Sequence, residues 1–477
     1  MLRAVAAALV LVLVASADAQ PALGETEFEN SGLEVAQEPF LRGLLLLHSF
    51  EYDDARDAFQ EARRIDPGFA MAAWGEAMTH NHPVWQRQNL EAARNALEDV
   101  EIGRASERER AYLATLEVLF GTGDKEDRDD AYARAMADLA GAYPDDLDAQ
   151  SFFALSLLGT AHEGRDFATY MRAAAVVEDV FDVNPQHPGA AHYLIHAYDD
   201  PVHAPLGLRP ARVYAEVAPS ASHALHMPSH IYLALGMWKD VATMNERSYL
   251  AAKEGTDRRV QPLNGHGWHA LWWWHYAATQ LDDRALANRL LALADDHFRS
   301  DLEGGTAQAH IVRIASAHAA AFDALESVAE ILEGVPDQGG LTTRAIRWLP
   351  VAVGWLEAGE TERAQTWLQQ FALEVDAEDD ASWSVRSALA QLRGRILIAQ
   401  GDLEGGLAQL RDAAEIESQA PLTFGPPAPV YPSNEALGHA LLRAGQDSAA
   451  AEAFGRSLER APNRRQSVDG LAASRSE

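Results

Sequence analysis

Cysteine is absent from all 477 residues of the chain. No disulfide can hold the fold together, so the chain must rely on ordinary burial of apolar side chains, which its length permits. The same absence removes thiolate metal ligands. Any metal site must therefore use histidine, carboxylate or methionine side chains.

Basic residues are scarce relative to acidic ones. Lysine and arginine total 39 against 71 aspartates and glutamates, which gives a formal net charge of −32. Nucleic acids and anionic membrane surfaces are bound through basic patches. The charge balance therefore argues against both as partners.

Long hydrophobic runs are confined to the N-terminus. An apolar run over residues 4–15 follows Arg3 and precedes an Ala-Asp-Ala motif that ends at Ala19. The run is too short for a comfortable membrane span, and no later segment reaches ~18 uninterrupted apolar residues. These features predict a secretory signal peptide at residues 1–19 and a soluble protein that is periplasmic or secreted. Residues 20–36 are expected to be a flexible N-terminal segment.

Several enzyme motifs are also missing. The sequence contains no nucleotide-binding loop, Ser-His-Asp elbow, HExxH motif or dinucleotide fingerprint. No nucleotide cofactor is expected, and the sequence singles out no catalytic residue. Alternating β-branched runs are nearly absent, whereas apolar residues recur at helical spacing from Ser31 onward, which predicts an all-α protein.

Short repeated patterns indicate the kind of helical fold. Small alanines allow the two helices of a hairpin to approach, large rings fill the groove beside them, and proline ends the second helix. The offsets resemble those of the tetratricopeptide (TPR) repeat, a 34-residue helix-turn-helix unit. The matching positions are Tyr52, Ala55, Phe59, Ala62 and Pro67 near the start and Gly445, Ala450, Phe454, Ser457 and Pro462 near the end, with weaker copies around Gly236, Gly359 and Gly401. Only the glycine of the first copy is missing, replaced by Phe50.

Three longer segments are similar to parts of exported bacterial TPR-repeat proteins of largely uncharacterised function. They read LLHSFEYDDARDAFQEARRIDPGFAMAAWGEAMTHNHPVW, HPGAAHYLIHAYDDP and HALHMPSHIYLALGMW. The resemblance implies export and a curved α-solenoid of stacked repeats with loop insertions, and it brings no activity with it. We expect an N-terminal and central solenoid at 37–335 and C-terminal repeats at 336–477, with a proline-rich insertion near 419–436. Loops are predicted at 199–210 and 255–267.

Histidines cluster in the centre of the chain. His192 and His196 form a His-x-x-x-His pair, and His226 and His230 form another. The offset between the pairs is 34 residues, since 226 − 192 = 34 and 230 − 196 = 34. Equivalent positions on adjacent repeats place the pairs on neighbouring helices, an arrangement from which helical proteins build metal sites. Because Pro228 favours the first turn of a helix, His226 is expected at a helix entrance and the site is expected to be asymmetric.

The sequence thus predicts a transition-metal site on the concave face. Its predicted ligands are His192, His196, His226, His230, His223, His266 and His269. Neutral imidazoles suit copper or zinc, with iron less favoured. Asp199 or Asp200 can add a carboxylate or orient an imidazole ring. One function that such a site predicts is that of a metal-dependent oxidoreductase or hydrolase.

Other interpretations of the same residues stay open. TPR repeats bind peptides, proteins or small molecules in their concave groove, so the histidines can be contact residues of a non-enzymatic scaffold. They can also lock adjacent repeats together through neighbouring tyrosines. His80 and His82 form a separate pair after the first repeat, and the sequence leaves open whether they join the central cluster.

Overall fold

The computed structural model describes residues 22–336, 340–378, 381–422 and 424–475. Over these ranges the chain forms 24 α-helices, a 3-10 helix at Pro83–Trp85 and one two-stranded hairpin, β1 (Asn81–His82) with β2 (Arg87–Gln88). Among the described helices, none is both long and apolar enough to cross a bilayer. The predicted signal peptide at 1–19 lies outside the described residues.

Helices follow one another with short connections throughout. The first twelve are α1 (Glu34–His48), α2 (Tyr52–Ile65), α3 (Ala70–Met78), α4 (Leu90–Leu97), α5 (Glu107–Leu119), α6 (Lys125–Ala142), α7 (Leu147–Gly159), α8 (Phe167–Val183), α9 (Pro188–Tyr198), α10 (Ala204–Val217), α11 (Ser222–His226) and α12 (Pro228–Ala234). The other twelve are α13 (Trp238–Arg259), α14 (Gly265–Gln280), α15 (Arg284–Ser300), α16 (Gly305–Phe322), α17 (Leu325–Gly334), α18 (Leu341–Glu357), α19 (Thr361–Asp376), α20 (Trp383–Ala399), α21 (Leu403–Gln419), α22 (Ser433–Arg443), α23 (Asp447–Arg460) and α24 (Arg465–Ala473).

The helices pack as sequential pairs, and the predicted all-α, TPR-like solenoid is confirmed. In each pair a first helix packs on a second, as α1 does on α2, α20 on α21 and α22 on α23. The apolar stripe of α2 explains one such contact. Phe59 is fully buried, and a Cβ added at Gly43 of α1 or Gly75 of α3 would lie within 3.0 Å of its ring. The small residues of the repeat pattern therefore let one phenylalanine hold three helices together.

The turns inside the pairs use the left-handed backbone conformation. Gly236, Gly359, Gly401 and Gly445 have φ between +66° and +92°, a region that costs glycine little because it has no Cβ. Phe50 occupies the corresponding turn of the first pair with φ +55°. It is the one member of this set that carries a large side chain.

Both ends of the solenoid fold back onto its centre. Near the N-terminus, α1 packs directly against α9, four helical pairs further along the chain. At the C-terminal end, the indole nitrogen of Trp238 donates to the backbone oxygen of Asn463 at 2.8 Å, and Arg464 donates to the hydroxyl of Tyr276 at 2.8 Å. The central first helices α9, α11, α12 and α14 are consequently enclosed.

The start of the described chain differs from expectation. Residues 22–33 lack regular secondary structure, but Leu23 and Phe28 are buried, and Thr26 donates to the carboxylate of Asp148 at 2.9 Å. Phe28 packs among aromatic rings of the first repeats. The expected flexible segment is therefore anchored along the helices, because its apolar side chains find partners in the core.

Two predicted loops are shorter than expected. Helix α10 begins at Ala204 and continues through Pro210, so the loop predicted at 199–210 is wrong over most of its length. Pro205 stands in the first turn of α10, where a missing N–H costs nothing. Likewise, α13 runs to Arg259 and α14 begins at Gly265, which leaves a short connection where 255–267 was predicted.

Candidate metal centre

The central histidines come from the first helices of three successive pairs. His192 and His196 lie one turn apart on α9, and His226 ends α11 just before Pro228 begins α12, the helix that carries His230. Met227 joins α11 to α12 with helical backbone angles (φ −54°, ψ −39°), so this second pair spans two short and nearly continuous helices. His226 therefore lies just before the start of α12, as Pro228 predicted, and it is also the last residue of the preceding helix α11.

A first triad consists of His192 and His196 of α9 and His223 of α11. One nitrogen of each ring lies within 4.8 Å of the other two, and all three side chains are buried. The Nε2 atoms of all three have no hydrogen-bond partner among the described residues. His192 Nδ1 donates to the backbone oxygen of His48 at 2.6 Å, which leaves its Nε2 as a bare acceptor. Buried polar atoms are normally paired, so three unpaired nitrogens in one cluster of rings call for a ligand.

A second triad consists of His226, His230 and His269, again with nitrogens within 4.8 Å of one another. His226 Nδ1 donates to the side-chain oxygen of Asn245 at 2.7 Å, and His230 Nδ1 donates to the carboxylate of Asp199 at 2.6 Å. Both Nε2 atoms therefore carry lone pairs, yet they lie 3.0 Å apart. Two lone pairs at that distance repel unless a cation or proton lies between them, and two nitrogens on a tetrahedral metal are roughly 3.3 Å apart.

The two triads touch without merging. Ring centroids of His196 and His230 are 6.0 Å apart, and those of His223 and His226 are 6.1 Å apart. The prediction that the two sequence pairs supply one shared site is wrong, because each pair takes its third nitrogen from a different helix. His223 of α11 completes the first triad, and His269 of α14 completes the second.

His266 lies beside the first triad and belongs to neither set. Its ring centroid is 5.1 Å from that of His223, and its Nε2 lies 4.0 Å from a carboxylate oxygen of Glu51. Glu51 uses its other oxygen to accept from the hydroxyl of Ser222 at 2.9 Å and from the backbone N–H of His223 at 2.8 Å. Glu51 thereby fixes the start of α11 and the position of His223.

Burial keeps five of the six triad imidazoles neutral. Desolvation lowers the pKa of His192 to about 3 and lowers the pKa values of His196, His223, His226 and His269 well below their usual range. Neighbouring histidines lower these pKa values further. A metal binds the deprotonated nitrogen of imidazole, so neutral rings at pH 7 are already in the ligating form.

Aromatic side chains pack against both triads, one group of rings beside each triad. The ring of Phe50 lies 4.3 to 5.7 Å from the rings of the first triad. Trp273 lies 4.6 to 5.3 Å from those of the second, and Phe424 of the proline-rich segment lies 5.9 Å from His230. The first turn and the proline-rich segment therefore both contact the triads.

A third cluster, His48, Asp148 and His187, has similar residue types and a different character. One Asp148 oxygen lies 2.9 Å from His48 Nε2 and 3.4 Å from His187 Nε2. The remaining ring nitrogens are also bonded, His48 Nδ1 to the Tyr193 hydroxyl and His187 Nδ1 to the Ala190 N–H. With all four ring nitrogens paired, the cluster is a structural network that supports the His48 backbone oxygen, the partner of His192.

Several other carboxylates and histidines that the sequence pointed to lie outside both triads. Asp200 accepts from His203 and from Arg165, so it organises the loop after α9 and does not reach a triad. His82 stacks on Tyr52 with ring centroids 3.9 Å apart, whereas His80 makes no ring contact with the cluster. His275 pairs with His318 at 3.1 Å, separately from both triads.

Sequence reasoning overlooked Glu51, Asn245 and Phe50 as parts of the site. The only signal for Phe50 was its place at the consensus glycine of the first repeat. Glu51 and Asn245 carry no local pattern, because their roles depend on contacts with residues 172 and 19 positions away.

No protein-family profile and no curated protein matches this sequence significantly. Solved structures with similar folds include the crystal structure of yeast Tom70 (10% identity, 92% of this chain and 88% of that one, TM-score 0.38). Human IFIT1 in its dimer with PPP-AAAA is 12% identical and 92% of each chain is covered, with a TM-score of 0.40. The APC/C hetero-tetramer Cut9-Hcn1 is 12% identical over 92% of this chain and 76% of that one, with a TM-score of 0.37. These similarities concern the fold alone.

Proposed function

We propose that this chain is a transition-metal-binding protein in which a TPR-like solenoid encloses a histidine-lined centre. The observation that carries the proposal is the set of buried, unpaired Nε2 atoms of His192, His196 and His223. An unpaired buried nitrogen costs about 1–3 kcal/mol, so three in one triad are retained at a substantial cost unless an ion binds them. Copper and zinc are the metals that suit neutral imidazole ligands.

Each triad offers three protein nitrogens and leaves a coordination position open. Three protein ligands with an open position are the usual arrangement of catalytic zinc, whereas structural sites are closed by four. A metal in that state supplies Lewis acidity or, for copper, one-electron chemistry. The enclosing rings of Phe50, Trp273 and Phe424 restrict the open position to a small molecule.

Elemental analysis of the purified protein, grown with copper, zinc or iron supplements, tests the proposal. We expect at least one equivalent of copper or zinc per chain, and a loss of that metal in the double variant His192→Ala, His230→Ala. His275→Gln is the matched control, since this buried histidine of α14 lies outside both triads, and it should keep the metal. Substoichiometric metal under every supplement would contradict the proposal. For the predicted export, we propose that the mature chain begins at Gln20, which mass spectrometry of the exported protein can check.

A second function, peptide binding, is favoured by a groove in the C-terminal repeats. This groove has an empty volume of about 910 Å³ and is lined by α18, α20, α21 and α22, with Arg395 and Arg443 among its lining residues. Arg395 Nε is buried and has no hydrogen-bond partner among the described residues. The walls are mostly apolar, with one carboxylate, Glu357, against the two guanidinium groups, and the net positive charge suits a peptide with an acidic side chain or a terminal carboxylate.

A displayed random peptide library tests the second function. Selection on the wild-type protein should enrich acidic peptides, and these should bind the Arg395→Gln, Arg443→Gln variant at least tenfold more weakly. The metal content should stay unchanged in that variant. Enrichment of no sequence, or equal binding to the variant, would exclude this groove as a peptide site.

A further inference from the structure

The two triads have different surroundings, and from this difference we infer that the centre holds two ions at unequal sites. The inference rests on the proposed function and goes beyond it. The ion at His226, His230 and His269 binds first and more tightly, and the ion at His192, His196 and His223 binds second.

Two sites follow from the grouping of the nitrogens. Within each triad one nitrogen per ring lies within 4.8 Å of the others, and no larger set of histidines satisfies this among the described residues. Rings of different triads approach only to centroid distances of 6.0 Å and 6.1 Å at the two closest pairs. One ion with metal–nitrogen bonds of ~2.0–2.1 Å cannot reach both sets, so the six nitrogens suit two ions.

The groups behind the rings make the sites unequal. In the second triad, His230 Nδ1 donates to the buried carboxylate of Asp199, and a carboxylate partner raises the basicity of a ligating imidazole. In the first triad, His192 Nδ1 donates to the neutral backbone oxygen of His48. The carboxylate of Glu51, beside this triad, contacts His266 and the backbone of His223 instead of a triad ring.

The short distance between the two triads makes the affinities of the two ions differ further. The triads are in ring contact and five of their six histidines are buried, so a cation in one raises the free energy of a cation in the other by Coulomb repulsion. The site with the more basic ligands fills first. The ion at the first triad then binds beside a charge that is already present and repels it. This repulsion lowers its affinity and increases the difference between the two sites.

Titration of the demetallated full-length protein with Zn²⁺, in competition with a chromogenic chelator, tests this order. We expect two equivalents in the wild type, with affinities at least tenfold apart. His223→Gln should remove the weaker step and retain the tighter one, whereas His269→Gln should remove the tighter step. Asp199→Asn should weaken the tighter step by about 10–100-fold. His275→Gln should retain both steps.

Each alternative outcome is informative. One equivalent in the wild type would overturn the two-ion inference and leave the proposed function standing, whereas no bound Zn²⁺ would overturn the proposed function itself. Loss of the tighter step in His223→Gln would overturn the order of filling. Circular dichroism and a thermal melt establish that each variant is folded, and Asp199→Asn, which removes no ligand, tests the order if a histidine variant fails to fold.

Discussion

Phe50 has the left-handed backbone conformation that glycine adopts at the corresponding turn of other repeats. Its φ of +55° costs about 1–2 kcal/mol for a residue with a Cβ. The side chain is almost fully buried against the rings of the first triad. The strain is compatible with a role in walling the centre, since backbone strain concentrates at functional sites.

Replacing Phe50 by glycine removes the buried ring, which is destabilising, and relieves the backbone strain, which is stabilising. Truncating a buried phenylalanine costs about 3–5 kcal/mol, which exceeds the relief of backbone strain. We expect Phe50→Gly to lower the free energy of unfolding by about 1–4 kcal/mol, measured by urea denaturation. Gly445→Ala is the control for the same turn without the ring and should cost about 1–2 kcal/mol. A stabilised Phe50→Gly variant would contradict this role for the ring.

His275 and His318 make stability depend on pH. Burial lowers the pKa of His275 to about 3 and that of His318 to about 4, from 6.5 in the unfolded chain. Below pH 6.5 the unfolded state binds protons that the folded state does not, so stability falls as the pH drops.

The pair contributes about 1.4 kcal/mol per pH unit for each histidine between roughly pH 6 and 4. The variant His275→Gln, His318→Gln should flatten the slope of unfolding free energy against pH by up to about 2.7 kcal/mol per unit. Urea denaturation at pH 7, 6 and 5 measures the slope. An unchanged slope in the variant would show that these histidines are not buried in neutral form.

At the scale of helices, the repeat pattern predicted which residues would be buried. Ala55, Phe59, Ala450 and Phe454 are all buried as their TPR-like positions require. The loop predicted at 199–210 was wrong because the rule that proline ends helices ignores both the first turn, where Pro205 fits, and the packing of the rest of α10. Spacing along the sequence identified the histidines, whereas their division into triads depends on how α11 and α14 pack beside α9.

Glu51 links the first helical pair to α11. Its carboxylate holds the Ser222 hydroxyl and the His223 N–H, so removing it frees the short helix that supplies one ligand of the first triad. We expect Glu51→Ala to weaken Zn²⁺ binding at that triad by about 10–100-fold, in the range seen when supporting contacts of metal ligands are lost. Glu38→Ala, an exposed change on α1, should have no effect. Equal Zn²⁺ affinities in the two variants would mean that α11 needs no such anchor.

At the scale of the whole molecule, both ends of the chain pack onto the central helices. The local sequence could not predict this packing. The packing of α1 on α9 and the bond from Trp238 to Asn463 join segments more than 140 and more than 220 residues apart. Such contacts depend on the accumulated curvature of successive repeats. The helices were therefore predictable, and the enclosure of the histidines was not.

A buried ion pair secures the C-terminal contact. Arg464 donates to both carboxylate oxygens of Glu435 at 2.8 Å, as well as to Tyr276 of α14. Removing one partner of a buried pair costs about 3–5 kcal/mol because the other charge stays unpaired. We expect Arg464→Ala to lower the free energy of unfolding by that amount, measured by urea denaturation, and the exposed Arg456→Ala to change it by less than about 0.5 kcal/mol. Similar values for both would show that the C-terminal contact contributes little to stability.

The most direct test of the metal centre is anomalous diffraction at the zinc edge from crystals of the zinc-loaded protein. We expect anomalous peaks among the Nε2 atoms of His192, His196 and His223 and beside those of His226 and His230, with zinc–nitrogen distances of ~2.0–2.1 Å. Peaks confined to surface carboxylates, or zinc-soaked crystals with no peak inside the solenoid, would contradict a histidine-held metal centre.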